Sequence, residues 1–298
     1  MSQTELAATA SATHSRFALI ALLAGGIAIG GSPIFVRLSE IGPMATAFWR
    51  VALALVPLFL FFRVRERQHV PGPKGVADVM GLALPGVFLA ADLIAWHLAI
   101  HVTTVANATL LANLAPVFVT AIGWLFLGAS VSRAFLAGLL VAITGIVVLK
   151  GGVSGFSAGN RAGDALAILA ALFYAGYMLS IARLRGNFDT VRVMLWSTLS
   201  AAVCLLPVVL LTENQVFPVT IFGWGMLLGL ALISHAGGQL AITYALAYLP
   251  TAFSSLTLLL QPVVAALLGV AVLGEGVSIT QAIGGAIVLG GILYARRR

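Results

Sequence analysis

Long apolar stretches recur along the whole chain, separated by short breaks of Pro, Gly, Ser and charged residues such as Arg63 to Lys74, Gly151 to Gly163 and Tyr248 to Pro250. Each stretch is roughly 18 to 25 residues, enough to cross a hydrocarbon core of about 30 Å at about 1.5 Å per helical residue. The pattern predicts spans at 17–37, 43–62, 76–100, 104–127, 132–149, 162–183, 191–212, 222–247, 251–273 and 278–295. The expected class is an all-α polytopic membrane protein with ten transmembrane helices and no soluble domain.

The pattern is also doubled. Residues 106–149 lie on 252–295 without a gap at a constant offset of 146, with thirteen identities in 44 positions. Five of these are Pro or Gly at matched places: Pro116 with Pro262, Gly123 with Gly269, Gly128 with Gly274, Gly138 with Gly284 and Gly145 with Gly291. The expected organisation is a tail over 1–16, a first repeat over 17–150 and a second over 162–298. Five spans per half send the second half into the membrane from the opposite side. The repeats are then inverted about a pseudo-twofold axis in the membrane plane, around a central cavity, as in many secondary transporters.

Composition excludes a soluble protein: 61% of the 298 residues are hydrophobic and 8% charged, more apolar surface than a water-soluble domain can bury. Charge then sets orientation, because Lys and Arg gather in cytoplasmic loops. With both termini cytoplasmic, twelve of the sixteen basic residues lie inside, Arg37, Lys150 and Arg161 lie outside, and Arg50 falls within a span. The net charge of +7 is thus an orienting bias. The arginines form no aromatic-interleaved basic face, so no nucleic-acid partner is expected. Met1 to Ser15 reads as a disordered cytoplasmic tail without a cleavable signal arrangement. Cys204 is the single cysteine, which leaves no disulfide or Cys-based metal site. No P-loop, HExxH or G-x-S-x-G pattern occurs, so no enzyme, cofactor or metal is expected.

Candidate site residues follow from polarity at membrane depth, where ionisable groups are costly and face the bundle interior or a water-filled cavity. Asp92 and Arg50 are the deeply placed acid and base, at similar depth about 10 to 12 Å from the outer boundary. Three readings stand: a structural ion pair, a pathway pair holding a carboxylate and an ammonium or proton, or no contact. His235, Gln239 and Thr243 share one face of the eighth span. Ser254, Thr257 and Gln261 form a polar face on the ninth, and Asn107, Thr109, Asn113 and Thr120 lie on the fourth. Interhelical packing bonds compete with cavity lining as the explanation for these stripes. Tyr174, Tyr177 and Met178 offer apolar walls with hydroxyls at mid-span, and Trp96 is either an interfacial-belt or a pathway residue. His97 and His101 read as interface histidines. Pro33, Pro85, Pro116, Pro207 and Pro262 each remove a backbone bond, and Pro116 and Pro262 are symmetry-matched hinge or kink positions.

The segments "ATLLANLAPVFVTAIGWLFLGASVS" and "SSLTLLLQPVVAALLGVAVLGEGVS" resemble the paired signature of the drug/metabolite transporter superfamily, in its EamA-type ten-helix branch. "MATAFWRVALA", "WHLAIHVTTVANA" and "TYALAYLPTAFSS" are similar to that family too. Its pattern often has an acid after the Leu-Gly of each signature; Glu275 matches, whereas Ala129 stands in the first. The resemblance, nearest to the bacterial aromatic amino-acid exporters, implies a secondary transporter of the bacterial inner membrane. Such a protein, monomer or homodimer in the lipid bilayer, exports neutral or aromatic amino acids or related small metabolites by alternating access. The alternatives are a multidrug or other metabolite efflux carrier and an intramembrane lipid-modifying enzyme using His235 and Asp92.

Overall fold

A computed structural model describes residues 3–66, 72–102, 111–149, 161–274 and 278–296. Among these the chain is helical throughout, with no strand. The first half contains α1 (Gln3–Gly30), α2 (Ser32–Arg37), α3 (Pro43–Ala52), α4 (Leu55–Glu66), α5 (Val76–Val102), α6 (Ala115–Leu127) and α7 (Arg133–Leu149). The second contains α8 (Arg161–Leu184), α9 (Thr190–Thr212), α10 (Ile221–Gly229), a π-helical segment Leu230–Gln239, α11 (Leu240–Ala245), α12 (Thr251–Thr257), α13 (Leu260–Leu273) and α14 (Ile279–Ala295). Seven stretches are long and apolar enough to cross a membrane: His14–Arg37, Pro43–Val64, Val76–Ala99, Arg161–Leu184, Thr190–Thr212, Ile221–Ala245 and Thr251–Leu273. The helices α6, α7 and α14 are apolar but shorter. Large apolar side chains such as Phe126, Leu211 and Ile221 are exposed on the bundle's outside, as expected of helices whose outer faces meet hydrocarbon.

One expectation is corrected: residues 3–15, read as a disordered tail, continue α1 as helix. Arg192, near the start of the predicted span 191–212, lies buried in the first turn of α9, 3.8 Å from Asp189 and with its guanidinium 5.5 Å from the centre of the Phe62 ring. Glu275, Asn107 and Thr109 lie outside the described residues.

Several spans are interrupted where proline cannot donate to the carbonyl four residues back. Pro33 follows a break at Gly31, Pro57 one at Leu53–Ala54, Pro116 one at Asn113–Leu114 and Pro262 one at Leu258–Leu259. Pro85 and Pro207, by contrast, sit inside uninterrupted helices. The breaks before Pro116 and Pro262 occupy nearly the same place in each repeat. Each following helix ends at a left-handed glycine, Gly128 (φ 65°) and Gly274 (φ 67°), which stand at matched positions and are the positive-φ glycines among the described residues. The Leu-Gly of each signature is thus a helix C-cap that a side-chain-bearing residue adopts only at a cost.

The repeat is visible in packing as well. A Cβ on Gly138 would meet Gly291 and Ala295, and one on Gly284 would meet Leu149. On Gly145 it would meet Gly284 and Val288, and on Gly291 it would meet Gly138 and Ala142. Exchanging the two helices by the 146-residue offset turns the pair Gly138 and Gly291 into Gly145 and Gly284. The same exchange turns Gly138 with Ala295 into Gly284 with Leu149, and Gly145 with Val288 into Gly291 with Ala142. The helices α7 and α14 therefore cross antiparallel through a self-complementary glycine surface with a local two-fold relation.

Candidate binding cavity

Close backbone approaches bring the polar side chains together. A Cβ at Gly86 would collide with the Ser197 carbonyl, which seats α5 against α9. The ring of Phe88 packs on Gly176, where a Cβ would lie 2.9 Å from the ring, seating α5 against α8. Asp92 follows Phe88 by one turn, and Tyr174 and Tyr177 flank Gly176, so the contact places an acid beside two phenols. On the other flank a Cβ at Gly25 would lie 2.7 Å from the Gly238 carbonyl, and Ser234 Oγ donates to the Ala28 carbonyl at 2.9 Å. These contacts pin the π-helical segment to α1 and set the rotation of His235.

The result is a cluster inside the bundle. Arg50 acts electrostatically on Asp92, Tyr174, Tyr177 and His235, and Asp92 on both tyrosines. The Tyr174 and Tyr177 rings lie 5.8 Å apart and inclined by 30°. Gln261 from α13 faces the Tyr174 hydroxyl and Thr243 from α11 faces that of Tyr177, in neither case with hydrogen-bond geometry. Arg50, Asp92, Tyr174 and Gln261 are surrounded by protein yet keep accessible surface, as side chains lining an internal space do. Tyr177, His235 and Gln239 are buried. Thr198 Oγ1 and His235 Nε2 share a hydrogen bond of 3.0 Å, the donor set by the imidazole tautomer, and Thr243 donates to Met194 Sδ at 3.0 Å. His235 stands mid-way along the π-helical segment, a backbone irregularity frequent at functional sites.

Six sequence-derived candidates meet here: Arg50, Asp92, Tyr174, Tyr177, His235 and Gln261. Arg50 and Asp92 share the space without closing to an ion pair. Gln239 lies one turn from His235, between it and Thr243. Met178 is fully buried within the apolar core beside Tyr177. Trp96 is half-buried and edge-on to His97 with ring centroids 5.0 Å apart. Asn113 occupies the break before α6. His97, read as an interface residue, is instead buried, and its Nδ1 donates to the Leu93 carbonyl at 2.6 Å. The side chain of His101 lies outside the described ones.

Sequence reasoning missed Thr198 and Met194, which lie one turn apart on α9 and face the polar stripe of the eighth span. It also missed Pro57, whose lost N–H ends α3 just beyond Arg50. A further omission is a clasp at one end of the bundle. Glu40 accepts hydrogen bonds from the Val219 and Thr220 N–H groups at 3.1 Å each and from the Thr220 hydroxyl, which itself caps α10. Glu213 accepts from the Met44 N–H at 2.9 Å at the start of α3, and Trp49 Nε1 donates to the Val216 carbonyl at 2.7 Å. Each carboxylate caps a helix in the opposite half. The Thr220 hydroxyl foremost, with nearby backbone N–H groups, holds the Glu40 carboxyl below the usual carboxylate range.

Comparison with known proteins agrees with this architecture. A solved crystal structure superposes with a TM-score of 0.80 over 96% of both chains at 19% identity, a likeness of fold. The pseudopaline exporter of Pseudomonas aeruginosa is 29% identical over 206 residues, covering 67% of either chain. A probable terminal-alkyne amino-acid exporter of Streptantibioticus cattleyicolor is 28% identical over 234 residues, covering 76% of this chain and 78% of the relative. An uncharacterized transporter of Archaeoglobus fulgidus is 28% identical over 291 residues, covering 95% of this chain and 96% of the relative. The EamA-like transporter family matches residues 16–150 and again residues 161–297. A multi-pass membrane protein with two copies of this unit, the chain belongs to the EamA-like transporter family.

Proposed function

We propose that the protein is a ten-span secondary transporter of a bacterial inner membrane, with both termini cytoplasmic and two inverted five-helix repeats. It exports neutral or aromatic amino acids, or metabolites of that chemistry, by alternating access. One observation carries this reading: a base, an acid and two phenols from both halves converge on one internal space. The Arg50 guanidinium suits a carboxylate through paired N–H donors, Asp92 suits an ammonium, and the inclined tyrosine rings suit the body of the cargo. Asp92 and Arg50 stay apart, which leaves room for a zwitterion to bridge them. One relative is named as a probable terminal-alkyne amino-acid exporter, in keeping with that cargo, and another as a pseudopaline exporter. With the termini inside, the Glu40 and Glu213 linkers face outward, and their clasp closes the outer end of the pathway.

Counterflow of radiolabelled amino acids in liposomes carrying purified protein tests the reading. Exchange of any of them above empty liposomes, lost in Arg50→Ala and Asp92→Ala, supports it. Absence of exchange for every amino acid, with exchange of a lipophilic cation such as tetraphenylphosphonium, overturns it in favour of drug efflux.

A further inference from the structure

The cavity holds more hydrogen-bonding capacity than the two charged groups of an α-amino acid use. His235 Nδ1 and Gln239 Oε1 are buried with no protein partner, while Tyr174 Oη facing Gln261 Nε2 and Tyr177 Oη facing Thr243 are buried without closing to full hydrogen bonds. Tyr177 is 1% exposed, His235 0% and Gln239 2%. Buried polar atoms in native proteins are overwhelmingly paired, because an unpaired one keeps its desolvation cost. Such atoms on adjoining elements therefore need an explanation. Thr198 already engages His235 Nε2, so the imidazole is held in place while its Nδ1 edge stays unpaired. A helix-packing role for His235 and Gln239 would have spent those atoms on neighbouring helices.

The distribution is also lopsided between the repeats. At the 146-residue offset Arg50 corresponds to Trp196 and Asp92 to Gly238, while His235, Gln239 and Gln261 correspond to Leu89, Leu93 and Ala115. The first half supplies the acid and base, and the second supplies neutral donors and acceptors. A symmetric scaffold has been given two chemically different ends, as a cargo with two different ends requires.

We infer that the cargo is a zwitterion with further neutral hydrogen-bonding groups beyond its amino and carboxylate groups. An amino acid with an amide or imidazole side chain fits; one with a purely hydrocarbon or phenyl side chain does not. The inference rests on the amino-acid reading above and narrows it. The charged head lies between Arg50 and Asp92, and the polar body meets Gln261, beside the buried His235 and Gln239. An apolar analogue binds poorly because it leaves those buried groups unpaired.

Counterflow of glutamine and histidine is compared with that of leucine and phenylalanine in one proteoliposome preparation. The expected result is exchange of the polar pair faster by about tenfold or more. In Gln261→Leu and His235→Leu the ratio of polar to apolar exchange collapses toward unity. Thermal stabilisation of the detergent-solubilised wild type by each amino acid provides a second readout that needs no variant to fold. Leucine and phenylalanine exchanging and stabilising as well as glutamine and histidine overturns the inference and leaves the amino-acid reading standing. Failure of all four to exchange or stabilise overturns both.

Discussion

Arg50 and Asp92 carry the formal charge of the cavity, and their separation makes a sharp expectation. They act on each other and on both Tyr174 and Tyr177 without closing to an ion pair, so they belong to one network, in which stability losses couple by about 0.5–3 kcal/mol. The transport losses of Arg50→Ala and Asp92→Ala are expected not to add in the double variant, because a cargo bridging them is lost with either. Fully additive transport losses would rule out a cargo held by both. Glu40 gives a second expectation. Its carboxyl is held below the usual range by the Thr220 hydroxyl and neighbouring N–H groups, so its contribution is present above the ordinary carboxylate value of about 4.3 and is lost as pH falls through the depressed one. The melting-temperature advantage of wild type over Glu40→Gln is expected to be constant at neutral pH and to vanish on acidification. An advantage that persists in strong acid would mean that the carboxylate is not what Thr220 holds. Arg50, Asp92, Tyr174, Tyr177, His235, Gln239 and Gln261 were legible as polar groups inside apolar spans. Thr198, Glu40 and Glu213 were not, because a threonine within a span or a glutamate in a linker is ordinary until its partner is known.

At the scale of helices, the glycine surface between α7 and α14 is the clearest commitment. Gly291 touches backbone atoms of the facing helix, whereas Gly290, its neighbour in sequence, has nothing near it. Gly291→Val and Gly145→Val are each expected to lower stability by about 1–3 kcal/mol through overpacking, with Gly290→Val close to neutral in the same chemical denaturation series. Equal losses at Gly290 and Gly291 would rule out the antiparallel contact. Gly128→Ala is expected to cost about 1 kcal/mol or more from its left-handed backbone alone, since a Cβ there meets no neighbouring atom. The seven long spans were readable to within a few residues because apolar length is a local property. The internal breaks were less so. Pro33, Pro116 and Pro262 follow breaks, Pro85 and Pro207 are absorbed into continuous helix, and proline identity by itself does not distinguish the cases. The π-helical segment around His235 has no sequence signal of its own, as its geometry answers to the Gly25 and Gly238 contact.

For the molecule as a whole, the proposed alternating access requires the clasp between the Glu40 and Glu213 linkers to open. Replacing Glu40 and Thr220 by cysteine in a Cys204→Ser background gives a pair free of other thiols, and its oxidation is expected to arrest counterflow until a reductant is added. Full transport by the oxidised protein would show that this end stays closed through the cycle. The sequence by itself determined the class of the protein, its doubling and the chemical types available at membrane depth, since hydropathy, repeat offset and residue identity are properties of the chain read in order. Only the tertiary structure decided that residues 50, 92, 174, 177, 235 and 261 share one space, that Arg50 and Asp92 stand apart, and that two carboxylates fasten one end of the bundle. The reason is rotational. Which face of a helix points inward is set by where backbones approach most closely, at Gly86 with Ser197, Gly176 with Phe88 and Gly25 with Gly238. In helices apolar nearly all round, hydrophobicity says little about that angle.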